Sequence, residues 1–218
     1  LEVYYDAKDL TAMPTTVTDL AGGDQNGAVT GATLDETGGI ESFNFDGSND
    51  IIQGTFSGHT FSGGYTMATW IKPGTIGDDH YIATFGVGNT GTSIGINFET
   101  IGGAFRAFVW GSGLSSAVAQ TSDNVVHKDQ WVHVAATFIS SGGIINLYIN
   151  NKLAATGSGS TLSTISASAP LVLGARNANG TIERHANFKM ANFRLFSKAL
   201  NADQVKELYD YQKDYFLG

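Results

Sequence analysis

The residues of this chain whose types and spacing best suit them to chemistry are Asn97, Arg106, Phe108, Trp110, His133, Asn146 and Tyr148. Each falls in a stretch where apolar residues recur at every second position, the mark of a β-strand with one buried face. In Ser93 to Phe98 the apolar set is Ile94, Ile96 and Phe98, which leaves Asn97 on the opposite side. In Ala104 to Trp110 the apolar set is Phe105, Ala107 and Val109, so Arg106, Phe108 and Trp110 point away from it. The run Asp129 to Thr156 sets Val132, Val134, Ala136 and Phe138 against Trp131, His133, Ala135 and Thr137; beyond a Ser-Ser-Gly-Gly turn it sets Ile145, Leu147 and Ile149 against Asn146, Tyr148 and Asn150. If every apolar set faces one core, the seven residues share the outward faces of adjacent strands. Such a mixture suits sugars, because aromatic rings cover the C–H face of a pyranose while Asn and Arg satisfy its hydroxyls. Arg106, His133 and Tyr148 also supply what β-elimination from a uronic-acid polymer needs: a cation for the carboxylate, a base for the C5 proton and an acid for the leaving oxygen. The competing reading is that a loop or a C-terminal helix covers the aromatics, and that His133 beside Trp131 only hydrogen-bonds across the ladder.

Other chemistries find less support. There is no G-x-S-x-G nucleophile elbow and no Walker loop. Asp46-Gly47-Ser48-Asn49-Asp50 has the spacing of a turn, and it lacks the later ligand positions and terminal Glu of an EF-hand. Arg176, Arg184 and His185 form a second cationic group, either a solvated loop or a dock for an acidic sugar.

The elements that must position these residues are short strands between glycine-rich turns. Leu1 to Ala7, Gly27 to Leu34, Ser42 to Phe45, Tyr65 to Ile71, Tyr81 to Val87, Lys152 to Thr156, Leu171 to Gly174 and Phe188 to Phe196 join the segments above as strands. Gly157 to Ala169 reads as a low-complexity loop. Asn201 caps a short helix with Gln204 at the capping-box position, and Leu200 can staple onto Val205. The aromatic tail Asp210 to Gly218 is expected to pack.

Composition fits this picture. The chain has 218 residues, 42% of them hydrophobic, enough for one substantial core, so residues 1–218 are expected to form one all-β domain. The absence of cysteine excludes disulfides and thiolate metal sites. A net charge of −8 with only 12 Lys and Arg argues against nucleic acid as a partner, because phosphate neutralisation needs clustered cations. No apolar run reaches membrane-spanning length, so membrane insertion is not expected.

Trp131-x-His133-Val134-Ala135-x-Thr137-Phe138, a small-residue turn and then Ile145-Asn146-Leu147-Tyr148-Ile149-Asn150-Asn151-Lys152-Leu153 resembles the hairpin of laminin-G-like domains of the concanavalin A-like lectin/glucanase superfamily. Phe43-Asn44-Phe45-Asp46-Gly47-Ser48-Asn49-Asp50 is similar to that family's F-x-F-D-G-x-x-D-x-I segment, and Tyr65 to Pro73 to its next strand. The resemblance implies a two-sheet antiparallel jelly-roll sandwich with a short C-terminal helix. It also implies a carbohydrate-binding or adhesive module that recognises a polysaccharide or glycan. Such a module is expected beside other domains of a larger extracellular, cell-surface or virion-associated protein. A polysaccharide lyase and a protein-interaction module are the alternatives. The superfamily's glucanases carry E-x-D-x-x-E on one strand, and Glu36, Glu41, Glu99 and Glu183 all lack those partners. The family often binds calcium through acidic residues that correspond here to Ala191 and Asn192. No cofactor is therefore expected, and calcium would have to rely on Asp46 and Asp50.

Overall fold

The computed structural model describes residues 1–55, 63–76, 79–86, 93–98, 104–110, 117–122, 125–159 and 170–218, with Ser93, Asn97 and Phe98 described in the backbone alone. In chain order the strands are β1 (Val3–Tyr5), β2 (Thr16–Val17), β3 (Gly27–Thr30), β4 (Thr33–Asp35), β5 (Ser42–Asp46), β6 (Ile51–Thr55), β7 (Gly64–Pro73), β8 (His80–Gly86) and β9 (Ser93–Phe98). They continue as β10 (Phe105–Trp110), β11 (Ala117–Gln120), β12 (Val132–Ile139), β13 (Ile144–Ile149), β14 (Lys152–Ser158), β15 (Pro170–Leu173), β16 (Arg176–Ala178), β17 (Thr181–Glu183) and β18 (Asn187–Phe196), before helix α1 (Ala202–Leu217). One sheet is ordered β14-β13-β12-β7-β18-β5-β4, with β1 also paired to β18. The other is ordered β11-β10-β9-β8-β15-β6-β3-β2, and β16 and β17 form a small hairpin. The result is an antiparallel sandwich of two sheets with one C-terminal helix, as the alternation implies.

Every second residue of the central strands enters the space between the sheets. Val134, Ala136 and Phe138 of β12 meet Ile94 and Ile96 of β9 and Phe105, Ala107 and Val109 of β10 in one fully buried cluster. Each large aliphatic or aromatic side chain so placed contributes about 1.5–3 kcal/mol of burial. The turn from β12 to β13 is a 3-10 turn over Ser141–Gly143 in which Gly142 has φ 80°, and Asn150 and Asn151 take φ 47° and 67° at the next turn. Asparagine tolerates that left-handed region, so the β13–β14 connection forms without strain.

The remaining residues of β7, β12 and β18 face away from this core, and α1 covers them. The register aligns Ala191, Trp70 and His133 in one row across the sheet, and Arg194, Ala68, Ala135 and Tyr148 in the next. The alanines Ala68, Ala135 and Ala191 leave a shallow bed between larger neighbours. Into it the helix sets Val205, Leu208, Tyr209, Gln212 and Phe216, spaced at three or four residues. Trp70 stacks on Phe216, with ring centroids 4.4 Å apart, and on Tyr209 at 5.6 Å. The helix starts with the expected capping box, Gln204 N donating to Asn201 Oδ1 and Asn201 N to Gln204 Oε1, and Leu200 packs with Val205.

Here the structure corrects two expectations. The helix is longer than expected: Asp210 to Leu217 carry it on to 16 residues in all, because Gln212 and Phe216 continue its buried face. His133 and Tyr148 do not face an open groove. His133 is 1% exposed beneath α1, between Trp70 and Tyr209, and its Nδ1 has no hydrogen-bond partner among the described residues. Burial, with a smaller contribution from the Arg194 charge, pulls its pKa down to about 3, so the ring is held neutral. Tyr148 is 6% exposed in the cluster with Ala135 and Val205, and burial raises its pKa. Strands β2, β6, β11, β16 and β17 were absent from the sequence expectations, and the expected Ser/Thr/Gly loop lies outside the described residues from 160 to 169.

Two outcomes follow from the helix cover. Phe216→Ala removes the ring stacked on Trp70 and is expected to cost about 3 kcal/mol, measured by urea unfolding; a change below about 1 kcal/mol would show that α1 does not seal this face. His133 has a folded pKa below its ordinary value, so its contribution is complete above pH 6.5 and is lost as pH falls toward 3. Over that window wild type should lose stability more steeply than His133→Gln, by as much as about 1.4 kcal/mol per pH unit. Parallel curves would mean that the ring protonates in the folded state.

Candidate functional site

The structure divides the seven sequence-derived candidates between opposite faces of the sandwich. His133, Asn146 and Tyr148 stand on the outer side of the β12/β13 sheet, where the helix covers the first and last, and Asn146 Oδ1 accepts from Thr156 Oγ1 at 3.1 Å. Arg106, Phe108 and Trp110 stand on the outer side of the β10 sheet. The side chain of Asn97 lies outside the described residues, although its backbone pairs with Tyr81 and Arg106. One shared groove is therefore corrected to two separate faces. The reason is that β12 and β10 belong to different sheets whose apolar sets point toward each other, which sends their other residues in opposite directions. The trio Arg106, His133 and Tyr148 cannot meet at one substrate atom, so elimination by those three residues is withdrawn.

What the structure assembles instead is a cluster of rings and guanidiniums on the β8–β9–β10 face. Phe108 lies opposite Gly95, where a Cβ would come within 2.6 Å of Phe108 Cζ, so glycine there is what lets the phenyl ring lie flat on the sheet. Tyr81 meets Phe108 edge-on, with centroids 5.5 Å apart, and Phe108 meets Trp110 at 4.4 Å. The β16–β17 hairpin adds Arg176, whose Cζ sits 5.6 Å from the Tyr81 ring and 5.5 Å from Trp110; Arg106 Cζ is 5.3 Å from the same indole. Cation–π contacts of this kind are worth about 0.5–2 kcal/mol, most where water is excluded.

Each arginine is also tied by charge. Arg106 pairs with Asp79 at 3.5 Å, Arg176 Nε with Glu183 at 3.4 Å, and Arg184 with both Asp79 and Glu183. Among the described residues the cluster thus holds three guanidiniums against two carboxylates, a local positive surplus on a protein of net charge −8. Arg106, Phe108 and Tyr81 are almost fully buried, whereas Trp110 is partly exposed, so of the cluster's rings the indole is the one an incoming molecule meets. Burial, partly offset by a hydrogen bond from Arg176, pushes the Tyr81 pKa up to about 12.

Sequence reasoning missed Tyr81 and Arg176 as members of this face. Tyr81 precedes a register shift in the β8–β9 ladder, so parity counted along β8 alone misplaces it. Arg176 was noted only as part of a loop group, and that group separates: Arg176 and Arg184 join the cluster, whereas His185 Nδ1 turns to the Asp50 carbonyl at 3.5 Å.

The residues of the family's calcium position do not fit a cation. The Ala191 side chain has no ligating atom and its carbonyl accepts from Thr69 Oγ1, while Asn192 Oδ1 is approached by Tyr4 Oη, Arg194 Nη2 and Gln212 Nε2. Asp50 and Asp46 use their carboxylates on the backbone, accepting from Asp46 N at 2.9 Å and Ser48 N at 2.7 Å. Among the described residues no cluster of three His, Asp or Glu could hold a metal.

Solved structures of similar shape include the binding domain of Paraclostridial Mosquitocidal Protein 1 (TM-score 0.72, 17% identity), covering 97% of this chain and 52% of that one. The ligand binding domain of Botulinum neurotoxin serotype D, solved with N-acetylneuraminic acid, gives 0.71 at 16% identity, covering 96% of this chain and 50% of that one. Domain 4 of AbnA, an extracellular arabinanase from Geobacillus stearothermophilus, solved with arabinotriose, gives 0.70 at 18% identity and covers 96% of this chain and 98% of that one. The chain thus spans about half the length of the toxin domains it resembles. No curated protein matches it in sequence. Residues 46–206, which run from the β5 turn into the helix, match a laminin-G family, and the chain therefore belongs to the Concanavalin A-like lectin/glucanases superfamily.

Proposed function

We propose that this chain is a non-catalytic carbohydrate-binding module, one unit of a larger extracellular or surface-exposed protein, and that it grips a glycan at the Trp110 face. The observation that carries this reading is the partly exposed indole of Trp110, flanked by Arg106 and Arg176 on the outer side of a sheet in a lectin-type fold. A ring offers a sugar its flat apolar face, and guanidiniums beside it bind hydroxyls or a carboxylate. Guanidiniums beside the ring suit a saccharide that carries a carboxylate, such as a uronate or a sialylated glycan. Two proteins of similar shape, the neurotoxin D domain and the arabinanase domain, were solved with saccharides bound, which supports the class of ligand without fixing the sugar.

The arginines are held by Asp79 and Glu183, so a ligand would find them already oriented and would lose little side-chain entropy. An acidic sugar would compete with those two carboxylates for the guanidiniums, which makes binding weaken as salt rises.

A glycan array with neutral, uronate and sialylated members, followed by titration calorimetry on the strongest binder, tests the reading. Wild type is expected to bind at least one member saturably without shortening any polymer. Trp110→Ala should weaken that binding about tenfold or more, compared at a temperature where its unfolding curve shows the variant folded despite the lost cation–π contacts. A blank array, or equal affinity in Trp110→Ala, would remove this site.

A further inference from the structure

A second polar recess lies on the far side of the sandwich, at the seam between β1, β18 and α1. It encloses about 340 Å³ and is lined by Tyr4, Asp6, Lys8, Asn192, Gln212 and the outer edge of the helix at Tyr211 and Tyr215. This is within the range of small-ligand sites. Its floor is set by a bulge in β18 between Ala191 and Arg194, where Asn192 takes φ 56° and turns its amide inward at 5% exposure.

The hydrogen bonds fix which atoms this floor presents. Trp70 Nε1 can only donate, and it donates to Gln212 Oε1 at 3.1 Å, as Arg194 Nη1 does at 3.3 Å. Gln212 must then turn its Nε2 toward Asn192, whose Oδ1 accepts from it and from Arg194 Nη2 at 2.9 Å. That leaves Asn192 Nδ2 as a donor with no hydrogen-bond partner among the described residues, on a side chain that lines the recess. Beside it, Asp6 accepts from the Tyr4 hydroxyl on Oδ2 at 2.7 Å, and its Oδ1 has only a 3.4 Å contact with the Lys8 backbone. An unfilled donor therefore stands next to an underused acceptor.

A pair of adjacent hydroxyls answers both at once, one accepting from Asn192 Nδ2 and the other donating to Asp6 Oδ1. The charges of Asp6 and Lys8 offset each other, so the recess does not select an ion. Tyr211, 84% exposed on the helix, supplies a ring that nothing among the described residues covers. The Asp6 and Lys8 rim also borders a recess of about 290 Å³ lined by Leu10, Pro14, Val17 and Leu20, which gives room for a second ring. We propose that the seam is a second saccharide site, which takes a neutral sugar through adjacent hydroxyls and stacks it on Tyr211. The assignment shares with the Trp110 reading only the class of ligand; its residues are separate.

The chain's three tryptophans allow each site to be read by itself. Titrating 15N-labelled protein with methyl glycosides of glucose, galactose, mannose, xylose and arabinose, indole N–H resonances are followed after assignment with Trp110→Phe and Trp131→Phe. At least one glycoside is expected to move the Trp70 resonance saturably, because its acceptor Gln212 is the link to Asn192. That response should persist in Trp110→Ala, weaken about tenfold in Tyr211→Ala and return in Tyr211→Phe, which keeps the ring. Movement of the Trp110 resonance alone overturns the seam site and leaves the other standing. A Trp70 response unchanged in Tyr211→Ala, or no Trp70 response to any glycoside, overturns it as well.

Discussion

The constraint on which this architecture depends is that a strand shows successive side chains to opposite faces. Because Val134, Ala136 and Phe138 of β12 and Phe105, Ala107 and Val109 of β10 share one core, His133 and Trp110 must leave that core in opposite directions. Each outer face then needs its own solution for the residues it receives. The β7–β12–β18 face receives Trp70, His133 and three alanines, and a helix lies on it. The β8–β9–β10 face receives Tyr81, Arg106, Phe108 and Trp110, and among the described residues a two-stranded hairpin reaches only part of it, leaving the indole partly exposed.

This difference in cover separates structure from recognition. Under the helix, Gln212 joins the Trp70 indole, Arg194 and the Asn192 side-chain carbonyl at once, and the neutral His133 ring serves as filling between Trp70 and Tyr209. On the open face, Asp79 and Glu183 hold Arg106 and Arg176 beside an aromatic ring in a fixed geometry. Rigid side chains on strands, braced by ion pairs, are what low-cost binding requires.

How much of this was legible in the sequence depended on whether the signal was local. Alternation in β10 and β12 is a property of six to eight consecutive residues, so the inward sets, the hairpin and the Asn201 capping box could be read directly. Sheet membership is not local. Nothing in Val132 to Ile139 says whether the strand lies beside β10 or across the core from it, and the expected common groove failed on that point alone. The helix length failed for a related reason: Gln212 looks like a break in an apolar stripe until Trp70, Arg194 and Asn192, all distant in sequence, are seen to need it. Arg176 was likewise assigned to a loop because its partner Trp110 lies on another strand.

Asn192 shows how the chain's departure from its family and its own architecture fit together. An aspartate there could still accept from Arg194 and Gln212, yet it would have no N–H to turn outward, and it would bring a second carboxylate to the Tyr4 hydroxyl that already donates to Asp6. Two carboxylates around one proton repel unless a cation lies between them. Here the nearest cation, Arg194, is already spread over Asn192, Gln212 and the face of Tyr4. An amide avoids the repulsion and accepts where donors converge. It also tolerates the left-handed backbone of the bulge, which a β-branched residue would not. An amide at this point of the fold thus lacks the charge that a carboxylate would bring and, in the proposed seam site, offers a directional hydrogen-bond donor of the kind that recognises hydroxyl groups.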